Sequence, residues 1–183
     1  MKTNIEKEYK LLVTKEQFEQ LVSLYEPIFF HKQVNTYYDT TDHRIADLHG
    51  AMRIREIDGH FIFTLKLWKN QQLYEYECEV KNNSIEALQN EQIVMLLKEH
   101  GIYGEMTVLT SLTTYRGEVI SNDAILCFDH SLYNGIEDFE IEYEYRREHD
   151  GRRAFQTILA PLHIQYEKNC ISKIQRALQS LSQ

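Results

Sequence analysis

The chain has 183 residues, 43% of them hydrophobic and 26% charged, with a formal net charge of -8 and a pI near 5.5. That length fits one domain with a sizeable core, expected to span residues 1–183, and the acidic balance argues against a broad electrostatic grip on nucleic acid. Cys78, Cys127 and Cys170 lack metal-ligand spacing, no apolar signal core opens the chain and no segment is as apolar as a membrane span, so the reading is a reduced, cytoplasmic protein with neither nucleic acid nor membrane as partner.

The run from 5 to 13 reads as a strand. Glu6, Glu8 and Lys10 fall at every second position and share one face, while Lys7, Tyr9, Leu11 and Val13 take the other. Two carboxylates beside one ammonium can hold a divalent cation and an anion together, because hard oxygen donors suit magnesium or manganese and a fixed cation suits phosphate. Alternating Glu and Lys is equally the pattern of a solvated strand face. Thr14 then caps a helix reaching about residue 25, with Phe18, Leu21, Val22 and Tyr25 on one side. Extended segments follow at about 34–40, 50–58, 60–68 and 73–81, and Asp58-Gly59 makes a hairpin turn between two of them. Ser84 opens a second helix to about residue 100, closed by Gly101. Strands return at about 106–120, 124–132 and 137–146, before a helix from about 151 and a last one over about 169–181. This order gives an α+β chain, mainly antiparallel β, with helices packed on the sheet.

The strand faces carry charge in a regular way. Arg53 and Arg55 oppose Met52 and Ile54; Lys66 opposes Phe63, Leu65 and Leu67; Glu140, Glu142 and Glu144 oppose Phe139, Ile141 and Tyr143. Two architectures fit. A sheet can pack its apolar face on helices and leave the charges in water, or it can curl into a barrel with charges inward and helices outside. The second needs a wet interior prepared for a charged ligand, since buried charges must be paired or hydrated.

Glu6-Lys7-Glu8-Tyr9-Lys10 resembles the ExExK strand of the CYTH superfamily, the triphosphate tunnel metalloenzymes. The likeness continues in order through Tyr37-Tyr38-Asp39-Thr40, Met52-Arg53-Ile54-Arg55, Phe63-Thr64-Leu65-Lys66, Glu75 to Glu79, Tyr115-Arg116, Phe128-Asp129 and Glu140 to Glu144. It spans roughly residues 4–175 and is that of a bacterial, single-domain member. The resemblance implies an eight-stranded, closed, tunnel-like β-barrel with helices on the outside. It also implies a small triphosphorylated substrate and a divalent metal, Mg or Mn.

On that resemblance Lys10, Arg53, Arg55 and Arg116 form the triphosphate clamp, the arginines adding forked donors that match phosphate oxygens. Glu6, Glu8, Glu142 and Glu144 hold the metal, with Glu140 and Asp129 as further ligands. Lys66 and Tyr37 match the family's catalytic pair, the lysine as a general base whose pKa surrounding cations would lower. Lys173 reaches in from the last helix; Tyr38, on the opposite face from Tyr37, packs. One position departs from the family, Thr114 standing where a basic residue is common. Trp68 is read as a packing residue near a strand end, and His31, His43, His49, His60 and His163 as loop or surface residues. The expected activity is metal-dependent hydrolysis of a terminal phosphoanhydride of inorganic triphosphate or a relative. The alternatives are an adenylate cyclase, a thiamine triphosphatase, or a noncatalytic polyphosphate-binding module. A homodimer is one admissible assembly.

Overall fold

The computed structural model describes residues 1–181. The N-terminal run is extended but lies in two pieces, β1 (Lys2–Glu6) and β2 (Glu8–Val13), separated at Lys7. Lys7 turns outward, its Nζ 2.8 Å from Glu148 and 4.5 Å from the centre of the Tyr145 ring. The other strands are β3 (Phe30–Thr40), β4 (Ala51–Ile57), β5 (His60–Lys69), β6 (Gln72–Val80), β7 (Met106–Ile120), β8 (Ala124–Tyr133) and β9 (Ile136–Tyr145). All pair antiparallel in one sheet of order β1-β6-β5-β4-β3-β7-β8-β9-β2.

The expected eight-stranded closed barrel is corrected on both counts. The sheet has nine strands, and no ladder joins β1 to β2, so it curls as an open half-barrel. The cause is local to the N-terminal segment, whose first half bonds to β6 and whose second half bonds to β9, with the change of partner at Lys7. The outer edge of β2 is covered by the chain's C-terminal part: Cys170 N–H donates to the Lys10 carbonyl at 3.2 Å, and Asn169 accepts from Lys10 N–H at 2.8 Å while donating to the Glu8 carbonyl at 3.2 Å. Such cover blunts an edge that would otherwise template another strand.

Because side chains alternate along each strand, the apolar positions collect on the convex face. A 3-10 helix (Ile85–Gln89) and α3 (Glu91–Glu99) set Leu88, Ile93, Leu96 and Leu97 against Met52, Ile54, Phe63 and Leu65. On the other half, α1 (Lys15–Ser23) and α4 (Gly151–Leu159) press Phe18, Leu21, Phe155 and Leu159 onto Leu126, Phe128, Ile141 and Tyr143. Each such side chain is worth about 1.5–3 kcal/mol when fully buried, so the two layers hold the curl from outside and leave the charged face to the concave side.

Local chemistry explains the element ends. Thr14 and Gln17 form a reciprocal capping box for α1. The single helix expected over 84–100 breaks at Asn90, whose side chain accepts from Gln92 N–H and restarts the chain as α3. Asp58 and Gly59 both take positive φ, as the tight β4–β5 hairpin requires. The short α2 (Arg44–Asp47) was not expected; the buried Asp39 carboxylate accepts from Thr40, Ile45 and Ala46 N–H at 2.7, 2.9 and 3.1 Å, which gives Asp39 a structural role. Finally α5 (Lys173–Ser180) starts four residues later than expected, behind a Ser172 capping box. It departs from the helices-outside expectation, since Ile174 and Ala177 pack on Tyr37, Leu112 and Tyr133 of the charged face.

Candidate anion and metal site

Across β3, β4 and β5 the register sets Tyr37, Arg53 and Thr64 in one row, and Asn35, Arg55 and Ile62 in the next. Arg55 Nε donates to Asn35 Oδ1 at 2.9 Å, and Arg53 Nε is buried with no hydrogen-bond partner. Among the described residues neither guanidinium makes an ion pair. Burial, then Arg53 and Arg116, bring Arg55 down to about 10. Burial would raise the Tyr37 phenol, yet Arg53 and Arg55 beside it leave it below the usual tyrosine value. This corner is short of negative charge.

The β7–β9 side is different. Arg116 donates to both oxygens of Asp129, at 2.7 and 2.6 Å, and to Glu144 at 3.1 Å, and it also contacts Glu142. Lys173 Nζ lies 2.6 Å from Glu142 and 2.8 Å from Asp129 and touches Glu140. Arg176 adds pairs to Asp138 at 2.8 Å and Glu140 at 2.7 Å. Burial alone would raise the Glu142 carboxyl, but Lys173 and Arg116 hold it well below the usual range. Glu140 is pushed up to about 7 by burial, against Lys173 and with Glu142. Glu144 also reaches about 7, through burial and the repulsion of Glu142, Glu8 and Glu6, which together exceed the pull of Arg116.

The N-terminal segment bridges the two sides. Lys66 Nζ grips Glu6 at 2.5 and 2.6 Å and lies 3.4 Å from Glu75. Lys10 bonds to Glu8 at 2.6 Å, and Glu8 stands opposite Glu144 on the neighbouring strand. The lowered lysine pKa expected at Lys66 is corrected here: burial disfavours its charge, but Glu6 and Glu75 outweigh burial and Arg53, so it stays above the usual lysine value. Glu8 is raised by burial and then by Glu142.

Two groups of side chains offer ligand atoms within 4.8 Å of one another: Asp129, Glu140 and Glu142, all buried, and Cys127, Glu142 and Glu144. The oxygen-rich set fits a hard divalent cation. Glu6 and Glu8 stand outside both groups, Glu6 being held by Lys66. Their repulsion nonetheless registers at Glu144, so the carboxylates expected to bind metal share one electrostatic neighbourhood.

All expected site residues lie on the concave face, but not all meet. Among the described residues no hydrogen bond links Lys66 to Tyr37; Arg53, opposite Tyr37, stands on the strand between them. Lys168 is exposed, so Lys173 is the lysine that reaches in. Thr114 is buried against Ser131 at 3.1 Å and adds no cation. Trp68 is 55% exposed, which corrects its reading as a packing residue. The five histidines read as loop or surface residues are exposed. Sequence reasoning passed over Asn35, Asp138 and Arg176, and it named Glu75 within a motif without giving it a role. Asn35 is two residues from Tyr37 on its face, and Arg176 is one helical turn from Lys173, so periodicity could have found both. Glu75 needed the β5–β6 register, which puts it opposite Lys66.

The sheet thus curls as an open antiparallel half-barrel with carboxylates and cations interleaved on its concave face. The CYTH domain model matches residues 4–178, and the chain belongs to that family. It is 31% identical over 173 residues, 90% of each chain, to a Bacillus subtilis (strain 168) protein named "Putative triphosphatase YjbK". A crystal structure from Bacillus halodurans called a "putative adenylate cyclase" is similar with TM-score 0.86 and 33% identity, over 96% of this chain and 98% of that one. A Hippeastrum protein described as a "putative adenylyl cyclase" with a dominant triphosphatase activity matches at TM-score 0.70 and 22% identity, over 96% and 95% of the two chains, a likeness of fold. Among the described residues no helix is long and apolar enough to cross a membrane.

Proposed function

We propose that the chain is a single-domain, metal-dependent hydrolase that cuts a terminal phosphoanhydride of inorganic triphosphate or a closely related triphosphorylated compound. The observation that carries this reading is the pair Arg53 and Arg55, half-buried cations without carboxylate partners among the described residues, beside a carboxylate cluster able to take a cation. A polyanion with a bound divalent ion complements both at once. The likeness to the named Bacillus subtilis protein supports the reaction class.

In this reading Arg53 and Arg55 grip phosphate oxygens by forked hydrogen bonds, with Lys10 and Arg116 beside them. Glu6, Glu8, Glu142 and Glu144, assisted by Glu140 and Asp129, would hold the metal, magnesium or manganese. When bound, the metal supplies charge neutralisation at the phosphates and a template for the attacking water. Lys66, kept charged by Glu6 and Glu75, acts as a cation felt chiefly in the transition state. Tyr37, with its phenol eased toward ionisation by Arg53, orients the reacting end. Lys173 acts from α5 through Glu140 and Glu142.

A panel of inorganic triphosphate, ATP, thiamine triphosphate and longer polyphosphate, each with magnesium or manganese, tests the reading when phosphate, pyrophosphate and cyclic nucleotide are scored. Orthophosphate from inorganic triphosphate, lost in a Glu6→Gln, Glu8→Gln double variant, is the expected result. Cyclic nucleotide as the main product moves the chain to the cyclase reading, which the Bacillus halodurans likeness favours. Full activity in the double variant refutes the metal assignment.

A further inference from the structure

Two arginines of the concave face are anchored in the same way by partners of different charge. Arg116 Nε donates to Asp129 Oδ1 at 2.7 Å, and Arg55 Nε donates to Asn35 Oδ1 at 2.9 Å. The atom facing Arg55 has to be the amide oxygen, because a guanidinium carries donors only. Each anchor stands directly opposite its arginine in an antiparallel ladder, Asp129 across β7–β8 and Asn35 across β3–β4. On the β7–β9 side the anchor is a carboxylate, and Glu142 and Glu144 add their charge to it. On the β3–β5 side it is a neutral amide.

Asn35 is well placed to hold a neighbour still. It is 2% exposed and lies on β3, the central strand of the nine, whose backbone is paired on both sides, with β4 and β7. Arg55 is half-buried. A long side chain loses rotamer freedom when it grips a ligand, so a fixed acceptor at Nε removes part of that cost before the ligand arrives. Because the bond uses Nε, the Nη groups keep their donors and form the end-on fork from which a phosphate accepts two hydrogen bonds. An aspartate of the same shape at position 35 would pair with Arg55 as Asp129 pairs with Arg116, and a phosphate would then have to compete with it.

We propose that Asn35 is a positioning residue of the anion site: its neutral amide orients the Arg55 guanidinium through Nε and leaves both the charge and the Nη groups to an incoming phosphate. The proposal rests on the triphosphate reading of the site and deepens it. It makes the neutrality of position 35, and not only the presence of an arginine beside it, a determinant of affinity for the polyanion.

Titration calorimetry reads the effect, with magnesium present and diimidotriphosphate, an inorganic triphosphate whose bridging oxygens are replaced by NH, as the probe. Asn35→Asp should weaken binding about 10- to 100-fold, the worth of a charge-assisted hydrogen bond that the phosphate no longer receives. Asn35→Ala keeps the charge of Arg55 but frees its side chain, and should weaken binding about two- to ten-fold. With inorganic triphosphate as substrate, both changes should appear in KM far more than in kcat. In an Arg55→Ala background Asn35→Ala should add little, because its effect travels through the missing guanidinium. An equal loss in both backgrounds would give Asn35 a merely structural role and overturn the proposal, as would an Asn35→Asp protein that binds as tightly as the parent. Should Asn35→Asp not fold, the cycle built on Asn35→Ala decides alone. Weaker binding in Arg55→Ala with no effect of either change at Asn35 overturns the proposal and leaves the triphosphate reading standing. If the parent does not bind the probe, or Arg55→Ala binds it like the parent, the triphosphate reading of the arginine corner falls and the proposal falls with it.

Discussion

The two halves of the concave face treat their cations differently. On β3 to β5, Arg53 and Arg55 are half-buried without a carboxylate partner among the described residues, Arg55 resting on Asn35. On β7 to β9 and α5, every cation is committed: Arg116 to Asp129, Glu142 and Glu144, Lys173 to Asp129, Glu140 and Glu142, Arg176 to Asp138 and Glu140. Partly open to water, the two arginines carry their charge at modest cost, so the first half lacks counter-charge while the second is internally balanced. The difference teaches where an anion adds most. It completes the arginine corner, whereas at the carboxylate corner a metal must compete with Lys173 and Arg116.

The largest expected effect lies at the border between the halves. Lys66→Ala should lose about two to three orders of magnitude in turnover, the usual contribution of a fixed donor aimed at charge that develops in the transition state, with a smaller change in affinity. Steady-state rates beside direct binding of a slowly hydrolysed triphosphate analogue separate the two. A variant that keeps its turnover and loses only affinity assigns Lys66 to the clamp and ends its pairing with Tyr37.

Arg116→Ala should break the balanced half and leave three carboxylates facing one another. Removing one partner of a buried ion-pair network costs about 3–5 kcal/mol, readable as a lower urea midpoint. An Arg116→Ala protein as stable as the parent would erase the distinction drawn between the halves. Arg53→Ala should do the reverse. Its unfolding free energy should stay within about 1 kcal/mol of the parent, because no ion pair is lost, while affinity for the analogue falls about 10- to 100-fold, the worth of one or two charge-assisted hydrogen bonds. A large drop in stability there would show that Arg53 has a structural partner after all.

The smallest effect is on pH. Glu140 and Glu144 titrate at about 7 when folded, against an ordinary value of 4.5. The folded chain therefore holds more protons than the unfolded one between those values. Their contribution to stability is full below about 4.5 and is lost as pH rises through 7. Metal-free protein should accordingly melt a few degrees lower at pH 8 than at pH 5.5, and magnesium or manganese should recover the loss at pH 8. Calorimetry with and without the ion checks this; a metal-free melting temperature that rises over that interval removes the carboxylate repulsion from the account.

Much of the fold was legible because side-chain alternation is a local property. Glu6, Glu8 and Lys10, Arg53 and Arg55, and Glu140, Glu142 and Glu144 needed only a period of two to be placed on one face, and Thr14 and Asp58-Gly59 announced a helix start and a hairpin by their own chemistry. The ExExK strand and the motifs after it were enough to point to the CYTH family. Partner choice was not legible, because it depends on register between strands far apart in the chain. Nothing local says that one N-terminal segment changes partner at Lys7 and leaves the sheet open, or that α5 turns Lys173 and Arg176 onto Glu140 from inside. The sequence by itself determined which charges share the concave face. Only the tertiary structure decided which of them neutralise one another and which, at Arg53 and Arg55, remain without a partner, because that balance is set by distances of a few ångströms between residues brought together by the curl of the sheet.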